Sequence, residues 1–383
     1  MTAMGTLRRL RELGQSVWLD YLDQRLLRSE ELAALIADDG LAGMTSNPTI
    51  LQGAIAGSSD YDETIRGASP SEPDASILER IAARDVAEAC DRFLPVWESA
   101  RGADGFVSIE VSPELAYDTE ATMADARRLW STVARPNLML KIPGTRQGVA
   151  AIEQCLVDGM NVNVTLLFSA RRYLDVVDAY VRALEARAAR LQALDVASVA
   201  SFFVSRVDTE VDRALDALPA GRARETGRHL RGCTAIANAK LAYEAYQRVI
   251  DSERWGELAA HGARPQRLLW ASTSTKDPAY PDVHYADSLV APDTVDTMTL
   301  ETLRAYRDHG APEVRITRGL ERAREQLATL GTLGIDFDRV TRELEEEGVR
   351  AFVDSHRRAL ATIADKRRAI AAAAAPPAGA AHP

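Results

Sequence analysis

The stretch NLMLKIPGTRQGVAAIEQCLVDGMNVNVTLLF (137–168) holds two apolar runs, 137–143 and 162–168, on either side of a segment with helical punctuation. Thr145 stands where a helix N-cap is wanted and Gly159 where a helix stops. Both runs are apolar on two faces, as strands of a parallel sheet covered by helices must be. The unit is therefore strand, helix, strand with a parallel crossover.

Moving outward, the same alternation recurs. Strands are expected near VWLDYL (17–22), LAGMTSN (41–47), FVSIEVS (106–112), VASFFVSR (199–206), RLLWAST (267–273) and SLVAPDT (288–294), in addition to the two above. SEELAALIADDG (29–40) and SARRYLDVVDAYVRALEARAARL (169–191) read as helices between them. Strand and helix repeated eight times imply a (β/α)8 TIM barrel. The segment 274–287 hardly has room for a full helix, so an open doubly wound sheet is the structural alternative. Extra helices are expected in 48–105, in 207–251 and after the last strand over 300–370; that last group could pack over or beside the barrel mouth and exclude water. Residues 1–370 read as one domain and the Ala/Pro-rich 371–383 as a disordered tail.

Composition sets limits. Apolar residues make up 46% and charged residues 27% of the 383, which suits a globular enzyme, and the net charge of −10 supplies no general basic field for nucleic acid or an anionic membrane. Any phosphorylated ligand needs a local cationic pocket. Cys90, Cys155 and Cys233 are odd in number and widely spaced, and the histidines are scattered, so reduced thiols and no metal site are expected. The start MTAMGTLRRLRELGQSVW lacks the apolar core of a signal peptide, which points to the cytoplasm. The acidic RELEEEG reads as a solvated helix face.

In such a barrel the chemistry lies at the C-terminal ends of the strands. Polar residues there are Asp20, Asn47, Ser108 and Glu110 on one parity of strand three, Lys141, Asn163 with Thr165, Ser201 and, just beyond, Arg206. Singly, each has an ordinary structural use as a cap, a backbone partner or an ion pair. Their convergence is what matters. Of the 46 basic residues only four are lysine, so a lysine retained inside an apolar strand suggests a task that arginine cannot perform. An amine enclosed by apolar groups has its charged form disfavoured, and neutral amine attacks a carbonyl to form a Schiff base. The imine accepts electrons from the adjacent carbon–carbon bond, and carboxylates such as Asp20 and Glu110 would handle the protons.

The motifs TSNPTIL (45–51), VSIEVSPELAYDTEAT (107–122), NLMLKIPGTRQG (137–148), NVNVTLLFS (161–169), SFFVSR (201–206) and WASTSTKDPAYPD (270–282), in this order, resemble the transaldolase family in its longer bacterial form. The resemblance implies Lys141 as the Schiff-base lysine, Asp20 as general acid/base, and Glu110 with Thr165 as the pair that positions a catalytic water. It implies Asn47, Asn163 and Ser201, with Ser108 adjacent, as the residues holding a dihydroxyacetone unit, and Arg206 as a phosphate ligand. Where shorter members carry a stretch like ASFR, this chain reads ASTSTK, and Lys276 takes the place of the second phosphate-binding arginine. The implied reaction moves dihydroxyacetone from sedoheptulose 7-phosphate to glyceraldehyde 3-phosphate, giving erythrose 4-phosphate and fructose 6-phosphate. It uses no metal or organic cofactor, and the protein is expected as a monomer or homodimer. A fructose 6-phosphate aldolase and a non-catalytic sugar-phosphate-binding barrel are the alternatives.

Overall fold

The structure, a computed structural model, describes residues 5–374. Its strands are Gln15–Asp20 (β1), Gly43–Thr45 (β2), Phe106–Glu110 (β3), Leu138–Pro143 (β4), Val162–Leu167 (β5), Ser198–Phe203 (β6), Arg267–Ala271 (β7) and Thr294–Met298 (β8). All pair in parallel and in sequence order. β8 returns to β1 with Trp18 opposite Thr297, so the barrel closes and the open-sheet alternative is excluded.

Strand eight lies further along the chain than the expected 288–294. Ser288 ends the short helix His284–Ser288, and the apolar Leu289, Val290 and Ala291 are buried in the connection that follows. Asp293, at φ +56°, turns the chain into β8. The true strand, TVDTM, buries three polar side chains, Thr294, Asp296 and Thr297, which is why it does not stand out as an apolar run. The connection 274–287 does contain only that one five-residue helix.

Alternation along each strand decides which end of the barrel is open. Ser16, Trp18 and Asp20 point inward on β1. Trp18 fills the bottom: its indole N–H donates to Asp104 at 2.8 Å, and Arg267 donates to Ser16 Oγ at 2.8 Å. Gly43 is required beside it, since a Cβ there would sit 2.6 Å from the indole ring. This end is sealed by Trp18 and by the Arg267–Asp104 ion pair at 3.5 Å, which leaves the C-terminal ends of the strands as the place for a ligand.

One group of the added helices gathers around the end of the chain. Pro48–Gly57, Asp62–Arg66 and Asp74–Ser99 precede β3, and the 38-residue helix Phe337–Ala374 packs along them. Ile55, Tyr61, Ile65, Ile77, Leu78 and Ile81 bury Ala359 and Ile363 of the long helix in a small second cluster. Lys366 clamps the junction, donating to Ser58 O at 2.7 Å and pairing with Asp62. The long helix runs past residue 370 to Ala374; the remainder of the expected tail, 375–383, lies outside the described residues.

One buried acid lies away from the barrel interior and predicts a pH effect. Asp296 is fully buried; Oδ1 accepts from Thr273 Oγ1 at 2.9 Å, Oδ2 has no partner among the described residues, and burial pushes the carboxyl up to about 7. A carboxyl near 3.8 when unfolded and near 7 when folded takes up a proton on folding, so its contribution to stability falls as pH rises through that window. Asp296→Asn keeps the shape and removes the proton. The difference in thermal midpoint, variant minus parent, should move in the variant's favour from pH 5 to pH 8 and then level off; a constant difference would show that Asp296 does not titrate there.

Candidate active site

Register assembles the site before any side chain is considered. Glu110 on β3 lies opposite Lys141, Lys141 opposite Asn163, and Asp20 on β1 opposite Thr45. Because inward positions repeat every second residue, these side chains converge on the axis.

Lys141 is 5% exposed. Its Nζ donates to the Ser46 carbonyl at 3.0 Å, lies 3.5 Å from Glu110 Oε2, and stands 5.6 Å from the centre of the Phe352 ring. The contact with Glu110 is at the outer edge of hydrogen-bond distance, and neither carboxylate oxygen has a hydrogen-bond partner among the described residues. Burial raises the Glu110 carboxyl to about 7 against the pull of the Lys141 charge. It can therefore hold or release a proton near neutrality. Asp20 accepts from Thr45 Oγ1 at 2.8 Å; burial raises its affinity for a proton too, opposed by Lys141, Thr45 and Asn47.

Beneath the lysine runs a polar chain across three strands. Ser201 Oγ donates to Asn163 Oδ1 at 2.7 Å, and Asn163 Nδ2 donates to Ser108 Oγ at 3.0 Å. Ser201 reaches the cavity wall, whereas Asn163 and Ser108 lie below it. Thr165 does line the cavity, and its buried Oγ1 has no hydrogen-bond partner among the described residues. Its direction follows from a bulge: register shifts between Val164 and Leu167, and Leu166 is held at φ +62°. Asn47 has two duties. Its Oδ1 caps the helix Pro48–Gly57, accepting from Thr49 N and Ile50 N at 3.0 Å, which leaves its amide N–H groups for Asp20 and the cavity.

At the far wall stand two cations. Arg206 is the second residue of the helix Ser205–Asp216; its guanidinium lies 5.5 Å from the centre of the Phe203 ring and makes no hydrogen bond or ion pair among the described residues. Lys276 donates to Ser274 Oγ at 2.7 Å, and burial with the neighbouring Arg206 charge lowers its hold on the proton. A cavity of about 230 Å³ joins Asp20, Lys141, Thr165 and Ser201 to these two cations, with Asn47 at its rim. Glu110 faces it through Lys141 and also borders an adjoining apolar cavity, which His356 and Arg128 line further out.

Two contributors had no local sequence signal. Phe352 comes from the long C-terminal helix, so part of 300–370 does cover the barrel mouth. The close approach depends on Gly348, one turn earlier, whose Cβ position is 2.9 Å from Leu166. Ser272 is the other: it lines the cavity at φ +57°, with its Oγ 3.0 Å from Ser205 Oγ, and a serine in a left-handed turn is not legible from spacing.

A buried amine against a proton-accepting carboxyl, with cations at a distance, is the equipment of a (β/α)8 enzyme that forms an imine with an anionic carbonyl compound. The chain belongs to the transaldolase/fructose-6-phosphate aldolase family, whose sequence model matches residues 17–363. It is 48% identical over 356 residues to a transaldolase of Parafrankia sp. (strain EAN1pec), covering 92% of this chain and 95% of that protein. Transaldolases of Saccharopolyspora erythraea (46% over 372 residues, 96% and 99% covered) and Trichodesmium erythraeum (44% over 352 residues, 90% and 93%) are similar along the same length.

Proposed function

We infer that the chain is a transaldolase, an enzyme that transfers the dihydroxyacetone unit of sedoheptulose 7-phosphate to glyceraldehyde 3-phosphate and so forms erythrose 4-phosphate and fructose 6-phosphate. The observation that carries the residue assignment is Lys141 Nζ, buried at 3.5 Å from Glu110 in the cavity that also holds Asp20, Arg206 and Lys276.

Each group has a step. Phosphate at Arg206 and Lys276 fixes the distal end of the sugar, and the ketone carbon then lies against Lys141. Neutral Nζ adds to that carbon, the hydroxyl leaves as water, and a protonated imine results. Asp20 takes the proton of the hydroxyl on the departing carbon as the carbon–carbon bond breaks, and the electron pair moves into the imine to give an enamine. The aldehyde leaves, the acceptor aldehyde enters, and the enamine attacks it while Asp20 returns the proton. Glu110, near neutrality in proton affinity, with the free hydroxyl of Thr165, handles the water of imine formation and release. Ser201 and Asn47 meet the hydroxyls of the three-carbon unit at the cavity wall, and Asn163 holds that unit through Ser201, with Ser108 adjacent behind it. No metal or organic cofactor takes part in this scheme.

The setting inferred for this activity is the cytoplasm, as a monomer or homodimer, without nucleic-acid or membrane partners. A net charge of −10 agrees with it, and among the described residues no helix is long and apolar enough to cross a membrane.

The test is a coupled assay with fructose 6-phosphate as donor, with and without erythrose 4-phosphate. Sedoheptulose 7-phosphate should form only with the acceptor; free dihydroxyacetone released without acceptor at the transfer rate would replace this reading with the aldolase one. Phe352 bears on the same partition. Phe352→Ala removes the ring over Lys141 and opens the site to water. The ratio of free dihydroxyacetone to transferred product should rise about threefold or more, and an unchanged ratio would remove the shielding role.

A further inference from the structure

The connection that carries Lys276 has no regular secondary structure of its own from Ser272 to Val283. Lys276 also stands beside Arg206, a like charge that favours its departure into water. Other contacts must therefore fix the loop, and they converge on the helix Ser205–Asp216, the one that carries Arg206 in its first turn.

Asp208 and Asp212 lie one turn apart on the buried face of that helix. Asp212 accepts from Tyr280 Oη at 2.7 Å and from the Gly232 N–H at 3.2 Å. Asp208 accepts from the Ala235 N–H at 2.7 Å and from Tyr285 Oη at 3.0 Å. Gly232, at φ +66°, leaves room for the Tyr280 ring, which a Cβ would approach to 2.8 Å; His284 stacks on the same ring with centroids 5.4 Å apart. Arg231 holds the residue next to the lysine, donating to Asp277 at 2.8 Å, and also pairs with Asp216 at the end of the helix. Tyr280, Asp212, Arg231 and Asp277 do not line the cavity.

We propose that Tyr280 with Asp212, and Arg231 with Asp277, are positioning residues for phosphate recognition: they fasten the Lys276 loop to the helix carrying Arg206, so that the two cations meet one phosphate as a fixed pair. This rests on the reading of Arg206 and Lys276 as phosphate ligands. A long lysine side chain loses much rotamer entropy on binding; a loop fixed beforehand lessens that loss, and the benefit is confined to substrates bearing the phosphate.

Tyr280→Phe keeps the ring on Gly232 and removes one hydrogen bond; Arg231→Met removes the other tether. In either variant KM for fructose 6-phosphate, and the inhibition constant of inorganic phosphate, should rise about three- to tenfold, the equivalent of one hydrogen bond, with kcat unchanged. Turnover of unphosphorylated fructose should stay at the parent level. Unchanged constants in both variants, or equal losses for fructose and fructose 6-phosphate, would overturn the proposal, the second pattern being that of a merely structural contact. Lys276→Met separates the two layers. If it leaves KM and phosphate inhibition at parent values, the phosphate assignment fails and the positioning role with it. If it raises both while Tyr280→Phe and Arg231→Met do not, the assignment stands and the tethers alone are refuted. Tyr280→Phe added to Lys276→Met should give no further rise in KM; an additional rise of the same size would break the link through Lys276.

Discussion

Lys141→Arg is expected to abolish reductive trapping by borohydride and to lower kcat for transfer by about 10⁴-fold or more, because covalent catalysis is lost altogether. Arginine keeps the positive charge beside Glu110, so the electrostatic setting of the site is largely preserved, but a guanidinium stays protonated and does not form an imine. The parent treated with fructose 6-phosphate and borohydride should carry one adduct, mapped by mass spectrometry to the peptide containing Lys141; the variant should carry none. The other lysines serve as internal controls. Lys366 pairs with Asp62, Lys240 donates to the Arg318 carbonyl, and Lys276 bonds Ser274. An adduct on any of these in the parent, or a variant retaining a tenth of the parent rate, would remove Lys141 from its role. A thermal midpoint close to the parent's is required alongside, since the larger side chain must fit a site now 5% exposed.

These lysines also show how far composition can be read. Scarcity marks all four lysines alike, yet Lys366 and Lys240 tie separate segments together by hydrogen bonds to the Ser58 and Arg318 carbonyls. What singled out Lys141 was position within a strand. Strand parity was the most informative signal: VSIEVS placed Ser108 and Glu110 on one face, and register then set Glu110 opposite Lys141. Asn47 was legible both as a helix cap and as a site residue because it serves as both. Strand eight lies beyond the apolar run 288–294 because its own buried polar atoms, Thr294 Oγ1 and Asp296 Oδ1, have partners from other parts of the chain; the apolar pattern on which strand reading depends is weakest where such partners exist. Phe352 was illegible for a related reason. Its helix has an ordinary amphipathic pattern, and nothing local distinguishes a ring packed on a neighbouring helix from one set over a nucleophile. The bulge at Leu166 has no local signal either; the Leu166 side chain packs against Gly348 of the long C-terminal helix, a contact between distant segments.

Asp20→Asn should separate imine formation from bond cleavage. The carboxyl accepts from Thr45 Oγ1 through one oxygen, a bond that an asparagine carbonyl can keep, so the change is nearly isosteric. What disappears is the base. General-base assistance of this kind is worth about 10²- to 10⁴-fold, and kcat should fall by that factor with KM for fructose 6-phosphate little changed. Lys141 and Glu110 remain, so the imine still forms and now accumulates with its six-carbon chain intact. Borohydride should therefore trap a phosphorylated hexose adduct on Lys141 in larger yield than in the parent, where cleavage drains it to the three-carbon adduct. Burial already raises the proton affinity of Asp20, while Lys141 and Thr45 oppose the rise. The parent's kcat should accordingly decline on the acid side as Asp20 becomes protonated, and the variant should lack that limb. A variant that loses trapping as well as turnover would place Asp20 in imine formation rather than cleavage; one within threefold of the parent kcat would assign the proton transfer to another group, with Glu110 the nearest carboxyl to the lysine.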